Sequence, residues 1–319
     1  MNIVVTGAAG FLGSRIADVL LSKDAPVSVA KLILVDSVKP SKYNDVRVQN
    51  IAVDLSAENA AEQVIPPGTN IVFHLAAVVS GHAEVDFDYG LLVNFDATRA
   101  LAERARKLKD ICFIFTSSCG VFGGDLPGVV GDGTATQPQN SYGTAKAMCE
   151  LLLNDYGRKG YVDTRIVRLP TVSVRPGTPN RAVTSFASGI IREPLNGLPA
   201  VCPVDEDLEL LLTSPSTVVR NIIHAAIVPS DLLGAWRVIN LPGICVTVRE
   251  MIDALRDVAG VEVASLVRYE RDDFKSRIVA SFPGKFDNSR GLKLGFAVDE
   301  SFQDILRLYI RDDLKREIA

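Results

Sequence analysis

Near the N-terminus a run of β-branched residues, Ile3-Val4-Val5, passes through Thr6 into Gly7-Ala8-Ala9-Gly10-Phe11-Leu12-Gly13 and then straight into a helical pattern. Three glycines spaced G-x-x-G-x-x-G between a strand and a helix leave few foldings open. Gly7 permits the tight turn, Gly10 lets a backbone come close to a pyrophosphate, and Gly13 allows the helix to pack closely on the strand. Apolar residues at Phe11, Leu12, Ile16, Val19 and Leu20 give the stretch from Phe11 to Leu21 one buried face. The start of that helix offers free N–H groups and a partial positive charge to an anion. A bare βα turn would account for the glycines alone. The strand–turn–helix context predicts a dinucleotide cradle, with Phe11 and Leu12 among its contacts.

The same alternation continues. Leu32–Val35, Val46–Val53, Ile71–Phe73, Cys112–Phe115 and Arg165–Val167 read as strands. Helical patterns over Val85–Lys107 and Tyr142–Tyr156 separate the later ones. Apolar runs buried on both faces, with helices between them, mean βαβ units. The fold class expected is α/β, a Rossmann doubly wound parallel sheet with a smaller C-terminal substrate lobe. From about residue 170 seven prolines interrupt the pattern, from Pro170 to Pro215. That part reads as loops and short elements rather than another βαβ run. Thr247 is a candidate cap for a helix over Val248–Val258, and Phe302–Lys315 reads as a closing amphipathic helix. The expected division is an NAD-binding domain over 1–170, also receiving segments from about 210–245, and a mainly substrate-binding lobe over 171–319.

Composition removes several function classes. With 34 Lys and Arg against 38 Asp and Glu, the formal charge of -4 leaves no basic footprint, so no nucleic-acid partner is expected. No apolar run reaches the roughly 20 residues of a membrane helix, and the N-terminus lacks the features of an export signal, so no membrane association is expected. Five scattered cysteines without a C-x-x-C pair fit a reducing, cytoplasmic setting. Only three histidines are present, and no metal site is expected.

Asp36 ends the second strand, 23 residues beyond Gly13. A carboxylate there accepts both ribose hydroxyls of adenosine and repels a 2′-phosphate, which favours NAD over NADP. Asp54 and Leu55, after the next strand, are placed to border the adenine, although a turn-forming Asp explains Asp54 equally well. His74-Leu75-Ala76-Ala77 ends a further strand, and its small residues leave room for a cofactor against the backbone. His74 itself, following an apolar strand, reads as structural. Pro170 and Val172 are further expected cofactor contacts.

Tyr142-Gly143-Thr144-Ala145-Lys146 sets Tyr142 and Lys146 one helical turn apart on one face. A phenol with pKa near 10 transfers protons poorly at neutral pH. A neighbouring ammonium is expected to lower that pKa and make Tyr142 a base for an alcohol. Thr116-Ser117-Ser118 lies at the carboxyl end of the preceding strand, where the Ser118 hydroxyl can bond the reacting oxygen.

Together the glycine loop, Asp36, the His74–Ala77 segment, Asn94, Thr116-Ser117-Ser118 and Tyr142/Lys146 resemble an extended short-chain dehydrogenase/reductase of the NAD-dependent epimerase/dehydratase type. The resemblance implies that Tyr142 accepts the proton, Lys146 binds the nicotinamide ribose and lowers the Tyr142 pKa, and Ser118 orients the substrate. It implies a supporting role for Asn94, and a homodimer formed through helices 85–107 and 142–156. The family's frequent Val-Tyr-Gly is Val121-Phe122-Gly123 here. Ser118 is followed by Cys119 and Gly120 rather than by acids, which disfavours dehydration.

The segment Arg168–Arg181 leaves the last strand beside the nicotinamide position and carries Arg175 and Arg181. A planar guanidinium there suits a carboxylate. With Phe186–Pro194, it resembles the sugar-acid dehydrogenases within that family, which implies NAD-dependent oxidation of a small, four-carbon sugar acid at C2. Ser80, Thr171 and either Arg175 or Arg181 are the expected substrate contacts, with Ser118 and Tyr142. Uronate dehydrogenation, nucleotide-sugar 4-epimerisation and non-catalytic NAD sensing remain the alternatives.

Overall fold

The computed structural model describes residues 1–40, 43–179 and 181–314. The first half runs β1 (Asn2–Thr6), α1 (Phe11–Leu21), β2 (Lys31–Asp36), β3 (Val48–Ala52), α2 (Ala60–Val64) and β4 (Ile71–His74). It continues through α3 (Ser80–Val85), α4 (Phe87–Leu91), a π-helical stretch Leu92–Asp96, α5 (Ala97–Leu108), β5 (Cys112–Ser118), α6 (Ser141–Arg158) and β6 (Asp163–Leu169). Next come β7 (Thr171–Val172), α7 (Phe186–Leu195), β8 (Ala200–Cys202), β9 (Glu209–Thr213), α8 (Pro215–Ala225) and β10 (Val238–Asn240). The chain then forms β11 (Ile244–Thr247), α9 (Val248–Ala259), α10 (Val261–Ala264), β12 (Val267–Tyr269), α11 (Asp273–Ala280), α12 (Ser289–Lys293) and α13 (Phe302–Tyr309).

Seven strands form one parallel sheet in the order β10-β6-β5-β4-β1-β2-β3. Its strands are apolar throughout because both faces are covered. Along β1, Ile3 and Val5 belong to one core and Val4 to the core on the opposite face. Strand order reverses between β1 and β4, so the crevice at their carboxyl ends is where such a sheet holds a ligand. A third core lies among α7, α9 and α13, beside the three-stranded sheet β11-β9-β7.

Three expectations shift. The C-terminal part contributes another crossover: α8 leads to β10, which pairs in parallel with β6. Pro215, read as an interruption, sits in the first turn of α8, where its missing N–H would have had no partner. The helix expected over 85–107 is divided. Asp86 ends α3 and caps α4 by accepting from Tyr89 N at 3.2 Å, and the π-helical stretch then turns Asn94 inward. The closing helix changes to a π-helical stretch at Ile310–Leu314, and Lys315 lies outside the described residues. Among the described residues no helix is long and apolar enough to cross a membrane.

Candidate active site

A cleft of about 390 Å³ opens at the carboxyl ends of β1, β4, β5 and β6. The glycine loop forms one wall. Gly7 is in the left-handed region (φ +71°), and a Cβ there would stand 2.8 Å from Ala76 N. Gly13 has no room either, since its Cβ would fall 2.8 Å from Ala8 Cα. Gly10 differs: it lines the cleft, and a Cβ would press on Gly7 O at 3.1 Å while projecting into the open space. The N-terminus of α1 behind it carries no side-chain cap and no acid in its first turn. An uncapped helix start behind a side-chain-free backbone fits a pyrophosphate. Asp36 accepts the Ala9 N–H at 3.0 Å, which fixes its carboxylate at the loop's outer end and keeps negative charge there. The donor set therefore fits a dinucleotide.

The opposite wall comes from α6 and β5. Asn140 caps α6 by accepting from Gly143 N at 2.8 Å. A Cβ on Gly143 would collide with Gly120 O, so α6 seats backbone against backbone on the turn after β5. That contact brings Tyr142 beside Ser118. Ser118 Oγ accepts the Gly120 N–H at 3.0 Å, and the Tyr142 phenol stands beside it on the cleft wall. One turn further along, Lys146 Nζ donates to Thr116 O at 2.8 Å and lies 5.7 Å from the Tyr142 ring centroid. Another turn on, Glu150 accepts from Ser117 Oγ at 2.5 Å. Three residues spaced by four on one helix thus face three consecutive residues of β5, two of them through hydrogen bonds. Glu150 also pairs with Arg168, both almost fully buried, and the Arg168 guanidinium lies 4.6 Å over the Phe122 ring.

Electrostatics here differ from the sequence expectation. Burial pushes the Tyr142 phenol up to about 12, against a small downward pull from the Ser118 hydroxyl. Burial also brings the Lys146 ammonium down to about 8. Lys146 does not lower the phenol in the protein alone, because Lys146 is buried, Tyr142 is half-buried, and desolvation outweighs a charge at this distance.

Beneath the cleft runs a hydrogen-bond chain with one sense. Ala76 N–H donates to Thr6 Oγ1 at 3.3 Å, and Thr6 Oγ1 meets His74 Nδ1 at 2.7 Å. His74 Nε2 meets Thr98 Oγ1 at 2.9 Å, and Thr98 Oγ1 donates to Asn94 O at 2.8 Å. Since the Thr98 proton is committed to Asn94, Nε2 carries the imidazole proton and Nδ1 accepts from Thr6. Burial, then the Lys146 charge, lower the His74 pKa to about 3, so the ring is neutral. The Asn94 side chain accepts from Val78 N at 2.8 Å and donates to Val78 O at 3.0 Å. It thereby fixes the backbone that leads to Val79 and Ser80 in the cleft.

Most of the expected site residues line this cleft. Gly7, Gly10, Phe11, Leu12 and Gly13 do so, as do Leu75 and Ala77. Ser80, Ser118, Tyr142 and Lys146 also line it, together with Pro170, Thr171, Val172 and Arg175. Ala76 and Asn94 act from behind its wall. Asp54 is outside: it accepts from Ser56 N at 2.9 Å and Ser56 Oγ at 2.6 Å, closing a turn, while Leu55 packs on the core. Arg181 is exposed and does not line the cleft. Arg175 is half-buried, and burial followed by the Arg192 charge lowers its pKa. Among the described residues its guanidinium has no carboxylate partner. Val79, Thr184 and Phe282 line the cleft without having been expected. No local motif marks them, and two of the three arrive from the C-terminal lobe.

Comparison with known proteins agrees with this geometry. The chain is 49% identical over 316 residues to a D-erythronate dehydrogenase of Haemophilus influenzae, covering 98% of this chain and 100% of that protein. It is also 49% identical over 319 residues to a D-erythronate dehydrogenase of Cupriavidus necator, covering 98% of each. A crystal structure described as a nucleoside-diphosphate-sugar epimerase from Agrobacterium tumefaciens superposes with a TM-score of 0.94 at 39% identity, covering 100% of this chain and 96% of that one. Residues 3–226, from β1 through the end of α8, match the family model whose glycine loop and parallel sheet have just been described, so the chain belongs to the NAD dependent epimerase/dehydratase family.

Proposed function

We propose that this protein oxidises D-erythronate at C2 to the 2-oxo acid with NAD as the oxidant. The observation that carries the choice of substrate is Arg175: a half-buried guanidinium lining the cleft with no carboxylate partner among the described residues. A cation held in this way suits a ligand that brings its own carboxylate. Two relatives named for D-erythronate, each matched over nearly the whole chain, support the same choice.

In this reading Gly7, Gly10, Phe11, Leu12 and Gly13 hold the pyrophosphate of NAD, and Asp36 receives the adenosine ribose. Leu75, Ala76, Ala77, Pro170 and Val172 flank the cofactor, Asn94 positions that wall, and Lys146 holds the nicotinamide ribose. When bound, NAD supplies a cationic nicotinamide ring that accepts a hydride from the carbinol carbon. Ser118 and Tyr142 hold the C2 hydroxyl between them, and Tyr142 takes its proton. A phenol at about 12 is protonated at neutral pH, so oxidation accelerates as pH rises toward the phenolate. Arg175 holds the carboxylate, with Ser80 and Thr171 on the remaining hydroxyls. Residues 1–170 would carry the cofactor, joined by segments from about 210–245, and the rest chiefly the substrate.

Exposed apolar residues on the helical side, Val85, Phe87, Leu92 and Leu151, support a homodimer through the helices between 80 and 108 and α6. Free cysteines throughout support a cytoplasmic setting. The second reading is nucleotide-sugar epimerisation, favoured by the description of the Agrobacterium structure. It requires tightly retained NAD and no net NADH release.

The test is NADH production with D-erythronate, alongside uronates and UDP-sugars, by the wild type and Arg175→Met. Wild-type turnover of D-erythronate is expected. The variant is expected to lose at least a hundredfold in kcat/KM for the acid, in line with removing a charge-assisted pair, while binding NAD as before. No NADH from D-erythronate, or a loss below threefold in the variant, would refute the assignment.

A further inference from the structure

Phe282 comes from outside the Rossmann sheet, two residues past the end of α11, its N–H donating to Val279 O at 3.0 Å. It packs against the C-terminal core and also lines the cleft. It faces Gly120, the residue on which α6 is seated. An ideal Cβ on Gly120 would lie 3.4 Å from Ser118 Oγ and 3.6 Å from both Cε1 and Cζ of the Phe282 ring. A single methyl group there would touch the serine hydroxyl and the ring at once. Phe282 therefore brings an aromatic ring from the other lobe to the wall of the cleft, against the turn that follows Ser118.

We propose that Phe282 sets the length of the acid that the cleft accepts. The assignment rests on the sugar-acid function proposed above and adds its size limit. An acid held by its carboxylate at Arg175 and by its hydroxyl at Ser118 must fit its remaining carbons into what is left of the cleft. Phe282 bounds that space next to Ser118, so extra carbons meet the ring.

The experiment measures kcat/KM for D-glycerate, D-erythronate and five- and six-carbon aldonates with wild type, Phe282→Ala and Phe282→Leu. One methylene in a shaped pocket is worth about 10–200-fold in discrimination. Phe282→Ala is expected to raise the ratio of six-carbon to four-carbon kcat/KM at least tenfold. Phe282→Leu, which removes less of the ring's bulk, is expected to raise the same ratio at least threefold. Should Phe282→Ala fail to fold, Phe282→Leu alone decides. Ratios within twofold of wild type in the folded variants overturn the size limit while leaving the function intact. If the wild type oxidises no acid of three to six carbons, the function and the size limit fall together.

Discussion

Beneath the catalytic strand lies an ion pair whose removal should be felt throughout the protein. Arg168 Nε and Nη2 donate to the two Glu150 carboxylate oxygens at 2.9 and 2.6 Å, with side chains 1% and 2% exposed. Ser117 Oγ shares the same carboxylate, and Arg168 also reaches Asn240 Oδ1 at 3.3 Å. Replacing Glu150 by Gln keeps the shape and one acceptor but leaves the guanidinium without a counter-charge in a dry site. Breaking a buried pair from one side costs about 3–5 kcal/mol. A domain is typically stable by only about 5–15 kcal/mol, so a fifth or more of the total is at stake. Removing both charges with the apolar pair Glu150→Met and Arg168→Met should recover most of the loss, since the desolvation cost disappears with the charges. Urea unfolding followed by the fluorescence of Trp236, the single tryptophan, reads both, and Trp236 lines the same groove as Arg168. A loss under about 1 kcal/mol for Glu150→Gln, or a double variant no more stable than the single one, would show that the pair does not hold this region. Because Ser117 lies between Thr116 and Ser118, kcat should fall together with stability in the single variant.

Two further outcomes follow from the site. Asp36→Ser removes the charge that opposes a 2′-phosphate, and the NADP to NAD ratio of kcat/KM should rise at least tenfold; an unchanged ratio would mean that Asp36 does not read the ribose. His74, with its folded pKa near 3 against 6.5 unfolded, takes a proton only in the unfolded chain between those values. Stability should therefore fall as pH drops below 6.5, by about 1.4 kcal/mol per pH unit from this group. Urea unfolding at pH 7 and pH 5 should show a drop about 2 kcal/mol smaller in His74→Gln than in the wild type, and equal drops would remove His74 from the acid response.

Sheet and glycine loop were legible because their signals are local. A strand buried on both faces is apolar along its whole length, and the turn after β1 needs glycine where Ala76 and Ala8 crowd it. Tyr142 and Lys146 were legible through helical spacing, and their approach to Ser118 follows from the close seat of Gly143. Other features depend on what is far away in the chain. Phe282 reaches the cleft from the other lobe, and nothing in its neighbours announces that. Enclosure decides the Tyr142 and Lys146 ionisations, and enclosure is a property of the assembled walls. The π-helical stretch around Asn94 breaks a period that the apolar pattern carried straight through. Asp54 had two local explanations of equal weight, and Ser56 satisfies its carboxylate in a turn.

The seat of α6 on the turn after β5 has a consequence for how this site tolerates change. Where Gly143 meets Gly120, two backbones touch with no side chain between them. The separation of Tyr142 from Ser118 is thus set by a hard stop, not by an adjustable cushion of rotamers. Side chains elsewhere on the cleft can be exchanged without retuning the reacting distance, so substrate range is free to drift while the chemistry keeps its spacing. Any side chain added at position 143 itself would wedge the helix away, and no neighbouring substitution could take up the slack.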